Sequence, residues 1–160
     1  MPEKPHSHDL RKGRYSERNR IYHVRTSTED KKPLFFDFYL GRVVVHSLRF
    51  LHERGDVASL AFVVMPDHLH WLFQLTGERP LEKVMHSLKR HTANVINQRL
   101  DTVGKTVWQE GYFDRAIREE DDVRVVARYI VANPLRARLC RQIGYYPLWD
   151  AIWLTGGSGF

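Results

Sequence analysis

Cysteine is nearly absent from the 160 residues of this chain, and long apolar runs are missing. The single cysteine, Cys140, excludes an internal disulfide framework and a cysteine-based zinc site. No uninterrupted apolar stretch approaches the roughly 20 residues that a membrane span needs. The polar N-terminal sequence also lacks the apolar core of a secretory signal. These absences predict a cytoplasmic protein with no membrane partner.

Acidic residues are outnumbered by basic ones, 19 against 25, which gives a formal net charge of +6 at pH 7. Such a charge favours polyanionic partners, nucleic acid first and an anionic membrane surface second, although many basic proteins bind neither. The 42% of apolar residues and 28% of charged residues are typical of a soluble globular protein.

The length suits one domain with two flanking segments. Residues 1–19 are polar and basic without apolar periodicity, which predicts a mobile N-terminal arm. Residues 20–140 carry the periodic patterns of a folded domain. Residues 141–160 predict a tail whose aromatic first part packs on the domain and whose glycine-rich end frays.

Apolar periodicity predicts four strands and three helices. The strands are expected at 20–28, 57–65, 68–75 and 107–117, and the helices at 37–55, 80–100 and 119–134. Asp37 is a suitable N-cap and Gly55 a suitable C-terminal stop for the first helix. The order predicts an α+β fold, a ferredoxin-like split βαβ sandwich. Its antiparallel sheet would carry helices on one face, with an additional C-terminal helix bearing Tyr129.

Two histidines occupy an apolar run, "VVMPDHLHWLFQL", at residues 63–75. Side chains alternate along a strand, so His68 and His70 point to one face and Leu69 to the other. Two imidazoles so placed can bind one metal ion or one phosphate. The alternative is a pair of exposed edge-strand histidines without a role. The apolar surroundings and the preceding turn favour a rigid site that needs a third ligand from elsewhere.

The segment "RYIVANP" supplies candidates for the missing groups. Tyr129 and Asn133 are four residues apart and lie on one face of a helix. Taken separately, Tyr129 suits the margin of the core and Asn133 suits helix termination before proline. Together with two imidazoles, however, the amide oxygen makes a mixed N/O site suited to Mg²⁺ or Mn²⁺. The tyrosine hydroxyl could then attack a phosphorus atom held there.

Three motifs carry a resemblance to a known family. "MPDHLHWLF" resembles the His-hydrophobic-His (HUH) motif of single-tyrosine transposases. "WQEGYFDRAIR" followed by "YIVANPLRARL" is similar to the C-terminal half of the tyrosine transposases associated with repetitive extragenic palindromes (REP). The resemblance runs from about Arg20 to Trp149, and it makes the domain at 20–140 an HUH transposase-like catalytic domain.

The resemblance implies a metal-dependent endonuclease and strand transferase that cuts and rejoins single-stranded DNA beside palindromic hairpins. By position, Tyr129 matches the nucleophile, which forms a 5′-phosphotyrosine. His68, His70 and Asn133 match the ligands of Mg²⁺ or Mn²⁺. The implied partner is single-stranded or hairpin DNA of the REP type, which places the protein at the nucleoid. A monomer is favoured and a homodimer is possible.

Hairpin recognition needs positive charge for phosphates and flat groups for unstacked bases. The candidate cations lie in the arm, on the second helix and after Tyr129: Arg11, Lys12, Arg14, Arg18, Arg20, Lys89, Arg90, Arg136 and Arg138. Each is alternatively a solvated surface charge. Arg138 also departs from the family pattern, because a glycine is expected after "NPLRA".

Two other functions remain open on sequence alone. A relative that has lost catalysis would grip hairpins without cutting them. A metal-dependent phosphodiesterase would use water as its nucleophile and leave Tyr129 a structural role.

Overall fold

The computed structural model describes residues 16–118 and 121–153. It contains five strands and four helices in these ranges: β1 (Ile21–Ser27), α1 (Phe38–Arg54), β2 (Val57–Met65), β3 (His68–Leu75), α2 (Leu81–Leu100), β4 (Phe113–Ala116), α3 (Val123–Val131), α4 (Asn133–Arg136) and β5 (Trp149–Ala151). No helix within these ranges is both long enough and apolar enough to cross a membrane. Most of the predicted arm and the end of the predicted tail lie outside the described residues.

The strands form one antiparallel sheet in the order β4-β1-β3-β2-β5. The central strands β2 and β3 are joined by the tight turn at residues 66–67, so their register is fixed locally. This arrangement confirms the predicted ferredoxin-like α+β fold. The fifth strand, β5, was not predicted, and it extends the sheet by pairing with β2.

The sheet has two buried faces with different coverings. Helices α1 and α2 cover the face that carries Val24, Leu69 and Trp71. Helix α3 lies over the other face, where Ala127 and Ile130 belong to a second apolar cluster with Val63, Leu72 and Ala151 on the strands. Because side chains alternate along β3, the face under α3 is also the face to which His68 and His70 belong.

The ends of helix α1 follow the sequence signals. The Asp37 carboxylate accepts hydrogen bonds from the backbone N–H groups of Tyr39 and Leu40, and Gly55 ends the helix in the left-handed conformation with φ 88°. Gly41, a poor helix former in the middle of α1, has a packing reason. A Cβ at this position would collide with the buried Leu148 side chain that leads into β5.

Two predicted elements are shorter in the structure. The strand expected at 107–117 pairs regularly with β1 over Phe113–Ala116, while Trp108 forms an isolated bridge with Thr28. Gly111, with φ 76°, interrupts the extended backbone between these two pairings. The helix expected from 119 begins at Val123. Asp122 caps it, because its side chain accepts hydrogen bonds from the backbone N–H groups of Arg124 and Val125. The helical path breaks at Ala132 before Pro134.

Candidate active site on the face under helix α3

His68 and His70 lie side by side on β3, with ring centroids 5.0 Å apart and the planes at 78°. Leu69 between them is buried in the opposite core. The turn at 66–67 places Asp67 directly before the strand, and Asp67 Oδ1 lies 2.6 Å from His68 Nδ1. Since a carboxylate accepts, Nδ1 carries the proton and Nε2 is the nitrogen with a free lone pair. Burial lowers the pKa of His68, and the Asp67 contact partly opposes that shift.

His70 is 8% exposed and is held by a second strand. Its Nδ1 lies 2.9 Å from Nε2 of His23 on β1, and the ring centroids are 5.2 Å apart. Burial, with added repulsion from nearby cationic groups, lowers the pKa of His70 to about 2. Burial and the neighbouring guanidinium groups lower the pKa of His23 to about 4. Both rings are therefore neutral at pH 7.

His23 is the residue that sequence reasoning missed. The pattern placed it in the first strand and gave it no task. Its signal lies in the pairing register, since Leu72 stands directly opposite His23 and Arg25 stands opposite His70. That register puts His23 diagonally across from His70 on the same face.

Tyr129 projects from α3 and is 59% exposed. Helix α3 is anchored through Ile130 to the cluster that contains Val63, and Val63 is paired with His70 across β2 and β3. The guanidinium of Arg136 lies 4.0 Å from the centroid of the Tyr129 ring and donates through Nη2 to the Tyr129 carbonyl oxygen at 2.6 Å. The charge of Arg136 also makes a small contribution to lowering the pKa of His70, after burial and the larger effects of His68, His23 and Arg25.

Asn133 is the first residue of α4 and is partly buried. Its Nδ2 donates to the Ile130 carbonyl oxygen at 2.7 Å, which leaves Oδ1 as the atom able to act as a ligand. Within residues 16–118 and 121–153, no group of three or more His, Cys, Asp or Glu side chains could hold a metal. The predicted donor set is of a different kind, with two imidazoles and one amide oxygen.

The predicted DNA-binding cations have diverse surroundings. Lys89 donates from Nζ to the carbonyl oxygens of Gln109 at 2.6 Å and Gly111 at 2.8 Å, so it ties α2 to the segment before β4. Burial lowers the pKa of Lys89 to about 8. Arg90 is exposed on α2. Arg138 is exposed and adopts the left-handed conformation with φ 57°, which explains why a glycine is expected there.

The cations near the start of the chain are divided by the limit of the described residues. Arg18 donates to the Thr76 carbonyl oxygen at 3.2 Å, and Arg20 forms an exposed ion pair with Glu17 at 3.0 Å. Arg11, Lys12 and Arg14 lie outside the described residues.

A family model described as "Transposase IS200 like" matches residues 16–133. The chain belongs to this family. The matched residues include the histidine pair, the tyrosine and the asparagine. The resemblance to REP-associated tyrosine transposases is confirmed by a relative in Escherichia coli K12 that carries this name, 26% identical over 88 residues. Those residues are 54% of this chain and 50% of the relative, so the chain spans about half the length of the curated relative.

Solved structures share the IS200-like fold. A REP-associated tyrosine transposase bound to a REP hairpin superposes with a TM-score of 0.69 at 20% identity, covering 85% of this chain and 79% of that chain. A crystal structure assigned as a transposase from Deinococcus radiodurans R1 superposes with a TM-score of 0.54 at 20% identity, covering 76% of this chain and 95% of that chain. At this identity the likeness concerns the fold.

Proposed function

We propose that this IS200-like transposase cleaves and rejoins single-stranded DNA next to palindromic hairpins, through a 5′-phosphotyrosine at Tyr129. One observation carries the proposal. The two strand histidines make their contacts with Asp67 and His23 through Nδ1, on the face beneath α3, the helix that presents the exposed tyrosine. The site of a water-using phosphodiesterase would not require an exposed tyrosine with an arginine stacked on its ring.

The donor atoms suit a divalent cation. Nε2 of His68, Nε2 of His70 and Oδ1 of Asn133 would hold Mg²⁺ or Mn²⁺, because each is the unengaged atom of its side chain and neutral N/O donors accept these ions. The bound cation would neutralise charge that develops on the scissile phosphate.

Tyr129 supplies the nucleophile. Its Oη would attack the scissile phosphorus, forming the Oη–P bond while the bond from phosphorus to the 3′ oxygen breaks. The hydroxyl proton can leave to water because the side chain is 59% exposed, and the departing 3′ oxygen takes up a proton. Attack by a 3′-hydroxyl on the phosphotyrosine reverses the sequence and rejoins strands, so no nucleotide cofactor is needed.

The hairpin substrate is supported by the relative whose structure contains a REP hairpin. Among the described residues, exposed Arg90 and Arg138 are candidate phosphate contacts, with Arg11, Lys12 and Arg14 as further candidates from the sequence. Helix α3 packs on the sheet of its own chain, which supports attack by a monomer on DNA bound to the same chain. The proposed substrate would bring the protein to nucleoid DNA in the cytoplasm.

A covalent-adduct assay tests this function. The protein is incubated with labelled single-stranded hairpin DNA from around its own gene and Mn²⁺ or Mg²⁺, then resolved on a denaturing protein gel. We expect a shifted band that disappears with chelator and with Tyr129→Phe. Tyr145→Phe is the matched control, because Tyr145 is an exposed tyrosine outside the site, and it should preserve the adduct.

Two other results would refute the proposal in different ways. Hairpin binding without any adduct would indicate a protein that recognises DNA but no longer cuts it. DNA hydrolysis that survives Tyr129→Phe would indicate a metal-dependent phosphodiesterase that uses water.

A further inference from the structure

His23 and His70 form a partly buried contact between two imidazole rings from neighbouring strands. The β1–β3 register places them diagonally on the face under α3, and 2.9 Å separates His23 Nε2 from His70 Nδ1. At this distance the contact is a hydrogen bond, so one nitrogen carries a proton and the other offers a lone pair.

The direction of this hydrogen bond determines what the rest of the His70 ring can do. If His70 Nδ1 donates, its Nε2 has a free lone pair and can bind a metal ion. If His23 donates instead, His70 carries its proton on Nε2 and that atom cannot act as a ligand. A metal-binding His70 therefore requires His23 as its acceptor, with the His23 proton on Nδ1.

We propose that His23 is a positioning residue. Its Nε2 accepts a hydrogen bond from His70 Nδ1–H and thereby leaves His70 Nε2 as a ligand atom. This inference rests on the proposed function for the identity of the metal site. Asp67 makes the corresponding contact with His68, because its Oδ1 accepts a hydrogen bond from His68 Nδ1–H and leaves His68 Nε2 free. Acceptors of this kind orient metal-binding imidazoles and raise their basicity.

The same geometry argues against His23 as a third ligand through its Nε2. That lone pair is engaged by the His70 proton in the arrangement that makes His70 a ligand. His23 thus serves the site through His70, and Asn133 remains the candidate for the third ligand.

The protonated nitrogen of each ring can be observed directly. Long-range ¹H–¹⁵N spectra of ¹⁵N-histidine-labelled protein without metal should show His70 with its proton on Nδ1. His23→Gln should preserve that state, because the amide oxygen can accept in place of the ring nitrogen. His23→Leu removes the acceptor and should move the His70 proton to Nε2, in part or fully. His91→Leu, at an exposed position on α2, is the control and should leave the His70 signals unchanged.

Metal affinity provides the second readout. Mn²⁺ titrations followed by electron paramagnetic resonance should give a Kd raised roughly 10- to 100-fold in His23→Leu. The Kd of His23→Gln should stay within a fewfold of the wild type. A wild-type His70 protonated on Nε2, or a His23→Leu protein with unchanged tautomer and unchanged Mn²⁺ affinity, would overturn the role of His23.

These measurements separate the inference from the proposed function. A wild-type protein that binds no Mn²⁺ would refute the proposed metal site, and the ring spectra would still decide whether His23 sets the tautomer of His70. A protein that binds Mn²⁺ through His70 but forms no DNA adduct would leave the role of His23 intact and refute the cleavage reaction.

Discussion

Mild acid is expected to weaken the folded state of this protein, because burial keeps the imidazoles of His23 and His70 neutral. Their folded pKa values, about 4 and about 2, lie below the ordinary value of 6.5. The unfolded chain therefore binds more protons than the folded one as the pH falls through 6.5. Stability contributed by these groups is present above that value and is lost below it.

The size of the loss follows from the proton linkage. One pH unit below the unfolded pKa, each imidazole that stays neutral in the folded state costs roughly 1.4 kcal/mol. For His23 and His70 together, the free energy of unfolding should fall by about 2 to 3 kcal/mol between about pH 7.5 and about pH 5.5. Burial also lowers the pKa of His68, so His68 contributes to the loss in the same direction. Against a total of roughly 5 to 15 kcal/mol for a typical domain, the loss is readily measured.

Urea unfolding at several pH values, followed by circular dichroism, measures this loss. His23→Leu removes one of the neutral rings, so the difference between the two pH values should shrink by roughly 1.4 kcal/mol. His91→Leu replaces an exposed histidine that water reaches in both states, and it should leave the difference unchanged. A wild-type loss below about 0.5 kcal/mol would show that the rings accept protons within the folded protein, which would refute the argument from burial.

Three further predictions concern single contacts. Gly41→Ala should destabilise the protein by about 1 kcal/mol, because the new methyl group collides with Leu148. In a Leu148→Ala background the same change should stabilise by about 1 kcal/mol, because only helix propensity remains. A double-mutant cycle measured by urea unfolding would contradict this if Gly41→Ala had the same effect in both backgrounds. Arg138→Gly should raise the free energy of unfolding by roughly 0.5 to 1 kcal/mol, because glycine relieves the strain of the left-handed backbone. Hairpin binding should weaken and its salt dependence should flatten. A destabilised variant would disprove the strain. Arg136→Lys keeps the charge but loses the planar stack on Tyr129, so single-turnover adduct formation should slow roughly tenfold with little change in hairpin affinity. Weaker hairpin binding with an unchanged rate of adduct formation would instead indicate that Arg136 contacts a phosphate.

Local sequence signals were sufficient for most of the fold. The caps of α1 at Asp37 and Gly55 are side-chain and backbone properties of single residues, and they lie where the sequence predicts. The hairpin of β2 and β3 was equally predictable, because a tight turn joins two apolar runs and fixes their register. The shared face of His68 and His70 follows from strand alternation alone.

The missed features depend on contacts between distant parts of the chain. Strand β5 has three residues, too few for a periodic signal, and it directly follows Leu148, which packs in the core beside Gly41. The stack of Arg136 on Tyr129 forms across the break in the helical path at Ala132. Strand order places His23 beside His70 across 47 residues of sequence.

The two histidines of the candidate site are supported by different chemical groups, and this difference has consequences. Asp67 is adjacent to His68 in sequence, and its carboxylate oxygen accepts the hydrogen bond from Nδ1–H, so His68 is held in one tautomer. His23 can accept or donate, so His70 is fixed only while the His23 proton resides on Nδ1. A bound cation would favour the accepting state of His23, because it needs the His70 lone pair. Metal binding at the proposed site would therefore be coupled to the direction of one interstrand hydrogen bond, and this coupling would involve β1, a strand that supplies no ligand to that site.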